Sequence, residues 1–550
     1  MNSGLPILFN TARGYTVEYR KRFLYSRYDP QKHPVATASS AKILPETLVL
    51  CISPLLGYGL DLLLDKLPEK SVILGLEADE ELMKFSVSHI QPSILQNPRF
   101  RYIRTSSANL VLQEAAKLSQ APFRRCLRID MSGGSALHAD VYDSTVSVLD
   151  NWISCYWKNR ITLIKLGRNY TRNVFRNTPL LCNSLKLPYG SVNRPVMVLG
   201  AGPSAENALP FIREYREKLY LLAVDTALPL LLDHSLKPDA IVILESQLWI
   251  EHSFIGATCS GIPVFADMTA RKGAFSVLSG PVYLFFTEFA DTRFTRRFLE
   301  TPFAPARLPA MGSVGIAALL LARKIAADSV PVIASGLDFS WGKAFSHARG
   351  TSPVRDIFCA STRLFPVSSA CPSVKPGKIG RTGMRNTPIE TDPALSGYAE
   401  LSVQFARAGY FSECYVLGQT GLDIGIPCLN ADKFRALIDA HAPETFPVSK
   451  ADTAQTEQFS QAIACFLENE LSRLLELRGI LTGETPDLGR RKEQCIRDLA
   501  ESMDYLYMHF PDGHRGFSGE QAFLKRVRIE IDVFVKTIRN ALTDLQSVTL

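Results

Sequence analysis

Five runs rich in apolar residues, at 196–199, 219–224, 240–244, 282–286 and 330–335, punctuate the middle of the chain, and segments with helical periodicity lie between them. A run without polar alternation is a strand buried on both faces, and a parallel sheet with helices packed on either side provides that burial. The expected helices are 205–218, 226–235 and 313–327. The expected product is an α/β fold with a central doubly wound, Rossmann-like sheet, in which ligands are taken at the carboxyl ends of the strands. Residues that directly follow those runs are therefore the candidates for function.

The flanking regions read differently. Near the N-terminus a strand at 48–52, the turn Leu56-Gly57-Tyr58-Gly59, a helix at 60–67 and a strand at 71–76 leading to Glu77 form a βαβ pattern, a degenerate nucleotide fold. Basic and aromatic residues gather between Tyr156 and Arg176, before a passage marked by Pro188 and Pro195. Beyond residue 450, Phe459, Ile463, Phe466, Leu467, Leu471 and Leu474 recur at spacings of three and four, as do Ile496, Leu499, Met503 and Leu506, and again Val527, Ile531, Phe534, Ile538 and Leu542. Three domains are expected: an N-terminal α/β domain over 1–190, the central Rossmann-like domain over 191–445, and a C-terminal helical bundle over 446–550. A length of 550 residues accommodates three such units.

Composition removes several classes of function. With 46% hydrophobic and 21% charged residues, the chain reads as globular rather than disordered or fibrous. The surplus of 61 Lys and Arg over 54 Asp and Glu is +7, spread along the chain, and argues only faintly for an anionic ligand. Eleven cysteines without a CxxC pair do not make a closed disulfide framework and are expected to be reduced and mostly buried. The first residues lack a signal-peptide pattern, and no apolar run approaches the roughly 20 residues of a membrane span. A cytoplasmic protein without a membrane span is expected. The stretch from Tyr156 to Arg176 is read as a domain-closing helix with a solvated face rather than a nucleic-acid surface, since no nucleic-acid motif accompanies it.

The sharpest local signal is Gly200-Ala201-Gly202-Pro203-Ser204, between the first central strand and the helix that starts at Ala205. Glycines let a backbone approach a ligand, and the helix start offers free amides to a phosphate. Pro203 suits a first helical turn, and the Ser204 hydroxyl either caps the helix or donates to a phosphate oxygen. Gly200, Gly202 and Ala205 also satisfy the relaxed dinucleotide fingerprint, with Asp225 at the end of the next strand placed for a ribose. The pattern supports nucleotide binding without choosing the nucleotide, and its plain alternative is a tight strand-to-helix connection with Ser204 as N-cap. A nicotinamide-dependent oxidoreductase remains open on this signal alone.

The order of the further motifs resembles the motility-associated factor (Maf) family of flagellin glycosyltransferases. The glycine-Pro203-Ser204 turn is followed by Asp225-Thr226, by Glu245-Ser246-Gln247, where the family more usually has Asp, by Gly312-Ser313, by Gly336-Leu337-Asp338 and by His347-Ala348-Arg349-Gly350. Thr391-Asp392, Tyr398, Ser26-Arg27-Tyr28-Asp29-Pro30 and the Gly57-Tyr58-Gly59 turn extend the resemblance over most of residues 20–430. That family resembles bacterial sialyltransferases and contains a domain similar to a pterin pyrophosphokinase. The resemblance implies a CMP-activated nonulosonic acid, of the pseudaminic or legionaminic type, as donor and co-substrate, and Ser or Thr of flagellin as acceptor. A pterin pyrophosphokinase-like enzyme and a non-catalytic flagellar assembly factor are the alternatives.

Under that reading the amides around Gly202 and the Ser204 hydroxyl stabilise the departing phosphate, and Asp225, Thr226, Glu245, Gln247 and Ser313 bind the nucleotide or the sugar. His347, in a polar loop after the last central strand, is the expected general base. Asp338 orients it, binds a sugar hydroxyl or acts as the base itself. Ser313 either grips the sugar carboxylate or caps its helix. No cofactor is firmly implied, and two acids on separate strands do not specify a divalent metal.

Overall fold

A computed structural model describes all residues except 1–3, 106, 119–122, 343–344, 375, 419, 442–452, 485–490 and 550. The chain divides into two compact units, residues 1–165 with 510–516, and residues 166–509 with 517–550.

The first unit opens with three short antiparallel strands, β1 (Ile7–Thr11), β2 (Gly14–Tyr19) and β3 (Arg22–Phe23), and the helix α1 (Lys32–Ser40). A parallel sheet follows, built from β4 (Thr47–Ile52), β5 (Val72–Glu77), β6 (Phe100–Arg104) and β7 (Arg125–Asp130) in the order β6-β5-β4-β7. Its crossovers are α2 (Leu60–Asp65), α3 (Glu80–His89), α4 (Pro92–Leu95) and α5 (Ala108–Lys117). The strand order reverses between β4 and β7, which is where such a sheet opens a nucleotide crevice. Here the chain fills it. Tyr25 and Leu24 are buried, the Tyr25 hydroxyl donates to the Pro54 carbonyl at 2.9 Å, and the Gly133 amide donates to the Leu24 carbonyl at 2.7 Å. Glu77, fully buried at the end of β5, accepts from the Ser53 hydroxyl at 2.7 Å, the Tyr142 hydroxyl at 2.9 Å and the Asp79 amide at 3.2 Å. The expected nucleotide-like pattern is present, with its crevice occupied from within.

The helix α6 (Ala139–Asn177) carries the whole basic and aromatic stretch. Part of that stretch is engaged internally: Trp157 donates to the Phe123 carbonyl at 2.8 Å beneath the Arg124 guanidinium, and Arg168 pairs with buried Glu530. Because α6 is continuous, the division between the units falls inside it at 165/166 rather than near 190.

The second unit is organised by a nine-stranded sheet of β8 (Val196–Leu199), β9 (Tyr220–Val224), β10 (Ala240–Ile243), β11 (Val264–Asp267), β12 (Val282–Thr287), β13 (Ala306–Leu308), β14 (Val332–Ser335), β17 (Cys414–Leu417) and β18 (Cys428–Leu429). A hairpin of β15 (Ile379–Thr382) and β16 (Pro388–Thr391) stands outside it. All nine strands run parallel, in the order β13-β12-β11-β10-β9-β8-β14-β17-β18. The order reverses between β8 and β14, whose register pairs Val196 with Val332 and Leu199 with Ser335. The helices are α7 (Ala205–Glu214), α8 (Leu228–Asp233), α9 (Lys272–Ser276), α10 (Arg293–Leu299), α11 (Val314–Ile325), α12 (Ser352–Ala360), α13 (Pro393–Arg407) and α14 (Ala431–Asp439). All residues of β8, β9, β10 and β14 are buried, as unbroken apolar runs require. The strands at 264–267, 306–308, 414–417 and 428–429 were not expected.

Beyond residue 452 come α15 (Thr453–Thr482), α16 (Lys492–Ser502) and α17 (Gln521–Thr549), whose stripe residues Ile463, Leu467, Leu474, Val527, Ile531, Phe534 and Ile538 are buried. The expected boundary at 445/446 lies outside the described residues, and these helices belong to the compact unit that holds the large sheet. Rings of Phe175, Phe294, Tyr505 and Phe534 meet at 4.9–6.0 Å, and Glu470 pairs with Arg297 at 2.6 Å, joining α10 to the bundle. None of the eleven cysteines is paired, but only Cys51, Cys182 and Cys414 are buried, so the expectation of mostly buried thiols fails. Among the described residues no helix is long and apolar enough to cross a membrane.

Candidate functional site

A cavity of about 410 Å³ opens at the carboxyl end of the large sheet, where β8 and β14 part. It lies in the size range of small-molecule sites. Its walls come from the turn at 200–202, from Val224 and Thr226 after β9, from residues 313–315 at the start of α11, from residues 336–341 after β14, from Ser346 and His347, and from Asp392, Leu395 and Tyr398 around the start of α13. Everything named here lies within the second unit.

The glycine turn serves a purpose that its sequence did not disclose. The Gly200 amide donates to the Ser335 carbonyl at 2.8 Å and the Gly202 amide to the Gly336 carbonyl at 2.8 Å. A Cβ on Gly200 would stand 2.3 Å from the Gly336 carbonyl oxygen, and one on Gly202 would stand 2.5 Å from Asp338 Oδ2. Glycine is thus demanded by the crossing of two loops. Ser204, buried, donates from its amide and its hydroxyl to Asp338 Oδ2, each at 2.8 Å, and its hydroxyl accepts from the Gly336 amide at 3.0 Å. The anion at the start of α7 is therefore the chain's own Asp338 carboxylate.

This corrects several expectations. Ser204 neither caps α7 with its side chain nor faces a phosphate, because Asp338 and Gly336 take its hydroxyl. Pro203 precedes the cap rather than occupying the first turn. Asp338 lines the cavity, is almost fully buried, and is held through Oδ2 by Ser204. Burial raises its carboxyl above the usual range, against the pull of the Ser204 bonds. The expected pairing of Asp338 with His347 is not made among the described residues. Instead His347 Nδ1 sits 3.0 Å from Ser346 Oγ.

His347 itself is where the sequence placed it. The loop is fastened to the glycine turn by the Ala348 amide, which donates to the Ala201 carbonyl at 2.9 Å, and by the Arg349 amide, which donates to Glu206 at 2.6 Å. Burial lowers the imidazole pKa below its ordinary value, so the ring is neutral at neutral pH. In the tautomer whose Nδ1 donates to Ser346 Oγ, Nε2 carries the lone pair of a base. Ser313 takes the bland alternative, capping α11 by accepting from the Gly315 amide at 3.2 Å, and still lines the cavity.

Asp225, Glu245 and Gln247 do not reach the cavity wall. Asp225 is buried beneath Thr226, whose amide donates to Oδ1 at 2.7 Å, while Oδ2 has no partner among the described residues. Burial, with Glu245 nearby, pushes its carboxyl up to about 7. Glu245 accepts from the Gln247 amide at 2.9 Å, a local turn rather than a ligand contact. Among the described residues no group of three or more His, Cys, Asp or Glu is placed to hold a metal ion. Because the folded Asp225 keeps its proton to about 7 and the unfolded one releases it near 3.8, burial costs nothing below 3.8 and about 4 kcal/mol above 7. Asp225→Asn should therefore gain stability relative to wild type as pH rises from 4 to 8, read from urea midpoints. A difference that stays constant over that range would refute this account of the buried carboxyl.

The reading from sequence missed Trp341, Lys378 and Leu395 as parts of the wall. Trp341 donates to Glu390 at 3.1 Å and Lys378 pairs with the same carboxylate at 2.8 Å, which ties the β15–β16 hairpin to the cavity. An aromatic residue soon after a central strand was the available signal. Tyr398 rests against the Gly312 turn, where a Cβ would come within 2.7 Å of its ring.

A parallel nine-stranded sheet with a cavity at its switch point defines a Rossmann-like fold, and it is the fold of a known glycosyltransferase. The solved structure of a Maf glycosyltransferase from Magnetospirillum magneticum AMB-1 superposes with a TM-score of 0.53 over 99% of this chain and 91% of that one, at 12% identity. Residues 168–344 match the family described as 6-hydroxymethylpterin diphosphokinase MptE-like. An uncharacterized protein of Treponema pallidum (strain Nichols) is 34% identical over 97% of this chain and 95% of its own length. The chain belongs to one family with that Treponema protein, has an MptE-like segment at residues 168–344, and shares its fold with the Maf glycosyltransferase.

Proposed function

We propose that the protein is a glycosyltransferase that moves a nonulosonic acid from a CMP-activated donor to Ser or Thr of flagellin. The observation that carries this reading is the cavity at the β8–β14 switch point, with a neutral imidazole in its wall. The shared fold of the Magnetospirillum glycosyltransferase supports it. Phosphate stabilisation falls to the start of α11 at Ser313, Val314 and Gly315, since the α7 terminus already holds Asp338. His347 Nε2 takes the proton of the acceptor hydroxyl as its oxygen bonds to the anomeric carbon. The bond from that carbon to the phosphate oxygen breaks with its electron pair leaving on the nucleotide.

The MptE-like match favours a second reading, pyrophosphate transfer from ATP to a pterin. That match ends at 344, whereas His347, Lys378, Asp392 and Tyr398 of the cavity lie beyond it. Calorimetry of the full chain with CMP, ATP and NADH tests the choice. Saturable binding of CMP, with ATP and NADH at least tenfold weaker, is expected, and a preference for either of the others would overturn the proposal.

A further inference from the structure

The end of α6 that belongs to the second unit carries cations that the cavity does not use. Asn173 Nδ2 donates to the carbonyls of Ser246 and Thr269 at 3.2 and 2.8 Å, and Asn177 Nδ2 to those of Met268 and Ala270 at 3.0 and 2.9 Å. These bonds fasten one face of the helix to the connections that leave β10 and β11. On the adjoining face Arg172 and Arg176 stand one turn apart, both half-buried. Neither has a carboxylate partner among the described residues, and Arg172 Nε is buried without a hydrogen bond. Arg271 and Lys272, at the start of α9, hold the nearby acids: Arg271 pairs with Glu251 at 2.8 Å and Lys272 with Asp544 at 2.7 Å. Burial, then the like charges of Arg172 and Arg271, lower the Arg176 pKa, with Asp544 opposing. Glu245, the remaining acid of this connection, accepts from the Gln247 amide.

Of these four cations Arg271 and Lys272 are paired, Glu245 is the one further acid on the connection, and Arg172 and Arg176 are left without a carboxylate partner among the described residues. A half-buried guanidinium with open N–H donors is costly unless an oxyanion meets it, and its planar fork suits phosphate. Ser246, almost fully buried on the same connection, has a hydroxyl without a partner among the described residues. We propose that this corner is a second ligand site, taking a dianionic phosphate group between Arg172 and Arg176 with the Ser246 hydroxyl as a further donor. It sits at the connections that leave β10 and β11, two and three strands along the sheet from β8. Nothing in it depends on the identity of the sugar donor.

The test is thermal unfolding of the full chain titrated with inorganic phosphate, ionic strength being held constant with chloride. A saturable rise in Tm is expected for wild type and for Arg385→Gln, an exposed arginine elsewhere. The half-saturating concentration should increase more than tenfold in the Arg172→Gln, Arg176→Gln double variant. If that variant does not fold, Arg172→Lys, which keeps the charge but loses the fork, is read in its place, and a several-fold weaker half-saturation is expected. A wild type without a saturable shift, or variants with an unchanged half-saturation, would overturn the site. A parallel titration with CMP separates the sources: dependence on the arginine pair with CMP marks a nucleotide phosphate, and dependence with inorganic phosphate alone marks a free anion.

Discussion

Replacing Gly200 with Ala is expected to destabilise the protein by about 3 kcal/mol and to abolish nucleotide binding at the central cavity. The added methyl carbon would lie 2.3 Å from the Gly336 carbonyl oxygen, 2.6 Å from Leu337 Cδ2 and 2.8 Å from the Gly336 carbonyl carbon. Two of these are backbone atoms, so no rotamer change relieves the overlap. The loops must separate, and the bonds from Gly200 to Ser335 and from Ser204 to Asp338 lengthen with them. Gly336→Ala should behave alike, since its φ of +74° is left-handed and its Cβ would meet the Gly200 carbonyl oxygen at 2.5 Å. Gly380→Ala, with nothing within 4 Å and an ordinary φ, should change stability by less than about 0.5 kcal/mol. Urea unfolding and CMP titration read both effects. If Gly200→Ala is as stable as Gly380→Ala, the loops do not lock as described.

His347→Ala is expected to lower the rate of sugar transfer by roughly 100- to 10,000-fold while leaving donor affinity within a few-fold of wild type. The reason is that the imidazole stands in the cavity wall and is kept neutral by burial, whereas the other candidate, Asp338, is bound by Ser204. The pH dependence has a definite sign. A base whose pKa is lowered stays competent below 6.5, so the wild-type rate should be flat above that value and fall only at lower pH. The variant should lack that fall and regain part of its rate with added imidazole. Transfer from a CMP-activated donor to an acceptor polypeptide, followed by mass spectrometry, measures this. Unchanged transfer in the variant would remove His347 as the base.

The fold was legible where physics is local. Unbroken apolar runs announced β8, β9, β10, β12 and β14, and Ser313 announced its own cap. What was not legible depends on contacts between distant residues. Ser204 and Asp338 are 134 positions apart, and nothing in either neighbourhood shows that one carboxylate takes both the amide and the hydroxyl of the serine. The helix expected over 226–235 shrank to α8 because Pro229 fixes its first turn and Asp225 and Thr226 sit in a tight turn before it. Asp225 carried the right chemistry for a ribose at the right spacing, yet its side chain turns under Thr226, a direction that spacing does not encode.

The plugged crevice of the N-terminal sheet bears on stoichiometry. The same parallel geometry occurs twice in one polypeptide, but in the first copy Tyr25 and Leu24 lie at the switch point, and Glu77 has its oxygens bonded to Ser53, Tyr142 and Asp79. To admit a nucleoside there the chain would have to give up those bonds and expose two buried side chains. The duplicated architecture therefore does not imply a duplicated capacity: under the proposed function only the crevice of the large sheet is expected to take a nucleotide, and the earlier sheet serves as scaffold.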